Sequence, residues 1–181
     1  MVPARRQTRY ARGMTEPKRA PRWAIVIGTF LGAGLAPRAP GTVGSLASLV
    51  LWAPLALYAV PWWVRALIAL ALFVVGTVAA EAVVRGEGRE DPQKIVMDEV
   101  VGMGITLLFS TSLLSLALGT VLFRVFDITK PWPVSLADQR IKGGFGVMFD
   151  DVIAAGYALG VLRLFESLLW PSIVVAARGS P

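Results

Sequence analysis

The chain has 181 residues, 55% of them hydrophobic, and a formal charge of +6 at pH 7. That apolar fraction exceeds what a soluble domain with a polar shell carries, and points to one membrane-embedded domain. Cysteine and histidine are both absent, which excludes disulfides, thiolate nucleophiles, Cys-based zinc sites and imidazole bases.

Any catalysis must then rest on Asp, Glu, Lys, Arg, Ser, Thr or Tyr, or on a hard cation such as Mg²⁺ held by carboxylates.

Residues 1–22 form a basic arm in which Arg5, Arg6, Arg9, Arg12, Lys18, Arg19 and Arg22 face only Glu16. A disordered arm of this charge fits the positive-inside rule and attraction to anionic membrane lipids. No nucleic-acid partner is expected, because nothing that reads bases accompanies the arm. Its arginines are too dispersed for a cleaved signal peptide. A membrane domain is expected over residues 23–171, with a tail at 172–181.

Residues 23–45 read as a short apolar helix followed by a Gly/Pro-rich loop. Residues 46–60 are uncharged and predict a membrane helix, kinked or broken near Pro54. Pro61-Trp62-Trp63 suits an interfacial turn, where Arg65 is expected to snorkel. Residues 66–80 predict a second span and residues 81–94 a charged loop, with Asp91-Pro92 as a candidate helix start.

Residues 100–123 contain no charge. They could form one span of about 36 Å, or two short helices joined near Ser110-Thr111-Ser112. Residues 130–149 read as the longest loop, and Asp150-Asp151 as the start of a last apolar segment ending near Trp170.

The hairpin alternative has a chemical consequence. With the arm in the cytoplasm, the inner loops carry Arg85, Arg89, Lys94, Lys130, Arg140 and Lys142, while the outer turns carry only Arg65. Asp98, Glu99, Asp127, Asp150 and Asp151 then lie at one level near the cytoplasmic headgroups. A single span would place Asp98 and Glu99 across the membrane from Asp127. Five acids flanking apolar helices are costly unless paired or bound to a cation.

Four motifs surround these acids. In the first, GAGLAPRAPGTVGS, backbone N–H groups near Gly41, Thr42 and Ser45 could bind phosphate at a helix N-terminus; Thr42 or Ser45 could instead cap the helix. In IVMDEVVG, Asp98 and Glu99 point about 100° apart, and could simply balance the helix dipole. In FRVFDITKPWP, Arg124 and Asp127 are i,i+3 neighbours, so a local ion pair competes with a metal-binding Asp127 beside a phosphate-binding Lys130. In KGGFGVMFDD, Lys142 and a glycine loop precede two acids, and the alternative is an ordinary acid-capped loop.

Taken together and in this order, the motifs resemble the phosphatidylglycerophosphatase A family over residues 28–160. The resemblance implies an all-α, polytopic membrane protein of about five to six helices, four to five of them membrane-embedded, with a cytoplasmic-face active site. It implies an Mg²⁺-dependent phosphomonoesterase in a bacterial inner membrane, acting on phosphatidylglycerophosphate in phosphatidylglycerol and cardiolipin synthesis. The carboxylates carried over are Asp98, Glu99, Asp127, Asp150 and Asp151.

In the mechanism expected from these residues, Glu99, Asp127 and Asp150 or Asp151 hold the metal. Lys130, with Arg124 or Lys142, neutralises the phosphate, and the Gly41–Ser45 turn donates backbone N–H groups. The D-x-D-x-T pattern of an aspartyl-phosphate enzyme is incomplete at Asp127-Ile128-Thr129. A small transporter or ion-coupled subunit using the acids is the competing class.

Overall fold

The computed structural model describes residues 19–89 and 92–177, with side chains as far as Leu168. The described residues are all-helical. The α-helices are α1 (Arg22–Gly28), α2 (Pro40–Leu57), α3 (Trp62–Glu87), α4 (Met97–Thr106), α5 (Leu113–Thr129), α6 (Val134–Arg140) and α7 (Gly143–Ala177), with a 3₁₀ turn at Ala33–Leu35. Most of the basic arm, Asp91 and the last four residues lie outside the described residues.

Three helices, α2, α3 and the Gly143–Leu168 part of α7, are long and apolar enough to cross a membrane. At 1.5 Å per residue the 26 residues of α3 reach about 39 Å, against a hydrocarbon core of about 30 Å. Only a third of the apolar window of α3 is buried within the protein. Leu67, Leu70, Val74 and Val78 are exposed, as lipid-facing residues are. Trp62 and Trp63 are exposed at one end of the bundle and Trp132 at the other, the positions of interfacial belts.

Residues 100–123 form two helices rather than one span: α4 ends at Thr106 and α5 begins at Leu113. Ser112 caps α5, its hydroxyl accepting from the Ser115 N–H at 3.1 Å. The connecting turn is held by a group the sequence reading assigned elsewhere. Arg65 does not snorkel: it is buried, and its Nη1 donates to the carbonyls of Leu107 (3.2 Å) and Ser110 (2.8 Å). Carbonyls released where a helix breaks at membrane depth need such a donor.

The hairpin is seated on its neighbours by one hydrogen bond and by small residues. Trp52 of α2 donates its indole N–H to the Val100 carbonyl at 2.8 Å. Its ring lies against Gly104, where a Cβ would collide with it. Trp52, Met103, Leu107, Phe123 and Ala154 share the main core cluster.

Several sequence-based boundaries move. Helix α2 starts at Pro40, not near residue 46, because proline suits the first helical turn. It continues past Pro54 to Leu57, where the missing N–H costs a single bond close to the end. Residues 81–87 belong to α3, with Glu81 and Arg85 paired at i,i+4 and Gly88 in the left-handed conformation ending the helix. The 130–149 segment holds α6 and the first turns of α7, so the described residues form seven α-helices. Asp150 and Asp151 therefore lie two turns inside α7, which runs on through Pro171. Gly144 permits that early start: it packs on the backbone of Thr77 and Glu81, and donates its N–H to Glu81 Oε2 at 2.6 Å.

Replacing Arg65 with Ala leaves the Ser110 carbonyl without its donor and the Leu107 carbonyl with the Ser110 N–H alone. A loss of about 2–4 kcal/mol is expected from hydrogen bonds of this charged kind, read as a lower unfolding midpoint in detergent. Arg65→Lys should recover part of it.

Candidate active site

Helix directions bring five chain segments to one end of the bundle: the start of α2, the start of α4, the end of α5, α6 and the first turns of α7. Between them lies a cavity of about 780 Å³. Asp98, Glu99, Asp127, Asp150 and Asp151 all line it, as do Arg124, Lys130, Lys142 and Gly41. The sequence expectation that the acids share one level is met because the chain turns back between α4 and α5.

Thr42 and Ser45 do not line the cavity. Neither caps α2: its N-cap is Ala39, with no side-chain cap. Ser45 is buried in the next turn and donates to the Gly41 carbonyl at 2.9 Å. Gly41 sits in the first turn of α2, where backbone N–H groups have no intrahelical acceptor. A Cβ there would land on Glu99 Oε1 and crowd Arg124, so glycine allows this helix end to approach the carboxylate.

Asp138 is a sixth cavity carboxylate that sequence reading did not single out. The available signal was modest: it is the only acid between Asp127 and Asp150. With all six ionised, three cations leave a formal excess of three negative charges.

Two cations divide the acids. Arg124 Nη1 pairs with Asp127 Oδ2, lies 3.6 Å from Glu99 Oε1 and 3.5 Å from Ser45 Oγ, so one guanidinium joins α5, α4 and α2. Lys130, in the left-handed conformation at the end of α5, donates to Asp138 Oδ1 at 2.8 Å and Asp150 Oδ2 at 2.6 Å. Burial alone would lower the Lys130 pKa; hydrogen bonds and charge attraction from Asp138 and Asp150 outweigh it and hold the ammonium firmly charged. Lys142 is exposed and donates to the Asp138 carbonyl at 3.1 Å. The α7 glycines supply no phosphate loop, since they are helical and the Gly144 N–H is taken by Glu81.

The remaining arrangement suits a metal. Asp98, Glu99 and Asp151 each offer an oxygen within 4.8 Å of the other two. Glu99 Oε2, Asp150 Oδ1 and Asp151 Oδ2 are buried and lack hydrogen-bond partners. Orphaned buried carboxylate oxygens are costly in protein alone and are the donors hard cations take. The tightest trio thus includes Asp98, whereas Asp127 and Asp150, expected as ligands, already pair with Arg124 and Lys130.

The profile of the phosphatidylglycerophosphatase A family matches residues 26–166. The chain belongs to the phosphatidylglycerophosphatase A family. A relative named phosphatidylglycerophosphatase A in Escherichia coli K12 is 35% identical over 142 residues, 77% of this chain and 81% of the relative. One of the same name in Haemophilus influenzae is 41% identical over 143 residues, 77% and 85% of the two chains. A Bacteroides thetaiotaomicron relative with the provisional name phosphatidylinositol-3-phosphatase is 40% identical over 144 residues, 74% and 87%. No solved structure is a significant match. The matched region of this phosphatidylglycerophosphatase A family member contains every residue that lines the cavity.

Two outcomes are expected. Gly41→Ala should displace the Glu99 carboxylate and cut kcat/KM at least tenfold, about 1.4 kcal/mol, with little change in melting temperature. The second concerns pH. Burial, then repulsion from Glu99, holds the Asp98 carboxyl well above the ordinary range; burial also raises Glu99, partly offset by its hydrogen bond with Asp98 and by Arg124. Raised folded-state values mean that the folded protein binds these protons more tightly than the unfolded chain. Their stabilisation is complete below the unfolded values near pH 4 and is lost as pH rises through the folded ones. Melting temperature in EDTA should therefore fall as pH rises above about 4. Asp98→Asn should flatten that slope, and a divalent cation held by these carboxylates should raise the melting temperature at the alkaline end.

Proposed function

We propose that this protein removes the terminal phosphate of phosphatidylglycerophosphate, releasing phosphatidylglycerol, with Mg²⁺ as the resident metal. The reaction would serve phosphatidylglycerol and cardiolipin synthesis on the cytoplasmic side of a bacterial inner membrane. The observation that carries this reading is the joining of a hard-cation carboxylate trio with Arg124 and Lys130 in one cavity at the end of a three-span bundle.

Phosphomonoester hydrolysis needs positioning and charge stabilisation more than covalent chemistry from the protein. Asp98, Glu99 and Asp151 would hold the metal, with Asp127 and Asp150 beside them. Bound there, a divalent cation supplies Lewis-acid stabilisation of phosphate oxygens and of an attacking water. Arg124 and Lys130 supply positive charge to the phosphate, with Lys142 at the rim. The N-terminal amide of α2 at Gly41 offers a donor along a favourable dipole. A carboxylate not engaged by a cation takes the water proton. The water oxygen forms the new P–O bond, the bond to the glycerol oxygen breaks, and a proton completes the product hydroxyl.

An ion-coupled transporter is disfavoured by placement: the acids cluster at one end of the bundle, not along a transmembrane path. The positive charge of the sequence over residues 1–22 supports the cytoplasmic assignment.

The test is phosphate release from phosphatidylglycerophosphate in detergent micelles, with phosphatidylinositol 3-phosphate in parallel. Release should require Mg²⁺, stop in EDTA, and fall at least about 100-fold in Asp127→Asn. No release from folded wild type with Mg²⁺ would sink the substrate assignment, and preference for the inositol lipid would transfer it.

A further inference from the structure

The cavity lining mixes polar residues, Gln93, Asp138, Gln139 and Lys142 among them, with the apolar Ala39, Pro40 and Ile128. Ile128 lines the cavity while being 68% exposed. Ile128 also continues an apolar stripe on α5: Val121 is 60% exposed and Val125 is 48% exposed.

At 100° per residue these three side chains fall within about 60° of one another, and Arg124 lies about 40° from Ile128. The stripe therefore begins where the phosphate-facing side of α5 ends. We propose that the apolar chain of the lipid substrate lies along Val121, Val125 and Ile128, so that substrate enters sideways from the bilayer with its phosphate turned into the cavity past Ile128. This rests on the lipid phosphomonoesterase reading above.

The stripe spans seven residue steps, about 10 Å, enough for the upper part of an acyl chain. An amphiphile here would keep its polar linker against the polar lining residues and its chain against Ile128 and the stripe beyond it, leaving neither desolvated without a partner. Lipid alone, covering the helix as it covers any apolar face, would give no such register with the cavity.

A second apolar groove competes for the chain. It holds about 440 Å³ and is lined by α3, α4 and α7, with Phe145, Phe149 and Val152 on α7. Those residues lie roughly opposite Gly146, Val147 and Asp150 around α7, and the latter face the cavity. A lipid whose phosphate occupies the cavity would have to pass around α7 to reach that groove. The α5 stripe needs no such detour.

The test uses the full chain in phosphatidylcholine nanodiscs with Mg²⁺. The probe is a non-hydrolysable phosphonate analogue of phosphatidylglycerophosphate with a diazirine at the midpoint of one acyl chain. Crosslinks are located by mass spectrometry. Labelling at residues 121–128 is expected, falling at least about fivefold with excess unlabelled phosphatidylglycerophosphate and persisting with excess phosphatidylcholine. Competable labelling at Phe145 or Phe149, or labelling of the stripe that phosphatidylglycerophosphate does not displace, would overturn the proposal. Phosphate release in the same nanodiscs separates the two readings. Release without competable stripe labelling defeats the entry route alone; absence of release defeats the substrate assignment and the route with it.

Discussion

Carboxylates withdrawn from water at the end of an apolar bundle are the constraint around which the structure is arranged. Glu99, Asp150 and Asp151 are buried and each keeps an oxygen without a protein partner. Unpaired buried charge is far more expensive than any single packing contact. The chain offsets part of that cost with Arg124 and Lys130, which together engage Glu99, Asp127, Asp138 and Asp150. The excess negative charge that remains is what a divalent cation and its coordination would balance. Stability and chemistry are thereby coupled through one set of side chains.

The far end of the bundle meets a different demand with the same economy of means. A hairpin that breaks its helix between α4 and α5 must satisfy free carbonyls away from bulk water. Arg65, projecting from the first turn of α3, does so with two hydrogen bonds. Its charge is expended on holding the turn, and that turn brings α5 back beside α4. Without the return, Arg124 could not reach Glu99 and Asp127 would not share the cavity. A residue remote from the acid-lined cavity thus sets which acids meet.

Close approaches between helices supply the remaining precision. Gly104 admits the Trp52 ring, Gly144 admits the backbone of α3, and Gly41 brings the start of α2 against Glu99. The cavity that results is lined by both polar and apolar residues. The family match places the same region, residues 26–166, within a group of lipid phosphatases.

The sequence by itself determined the membrane class and the absence of imidazole and thiol chemistry, and it singled out five of the six carboxylates that line the cavity, with Arg124, Lys130 and Lys142. Those follow from composition and from motifs short enough to read locally. Charge bias also argued for the hairpin, because like-signed loops sort to one side. Tertiary structure alone decided which groups pair. Arg65 reads as a snorkelling interfacial cation until the α4–α5 turn is seen above it. Asp138 reads as a loop acid until α6 presents it to Lys130. Thr42 and Ser45 read as equals of Gly41 until α2 starts at Pro40 and turns them away from the cavity. In each case the deciding contact joins residues far apart in the chain, and local propensity carries no information about partners that only packing brings together.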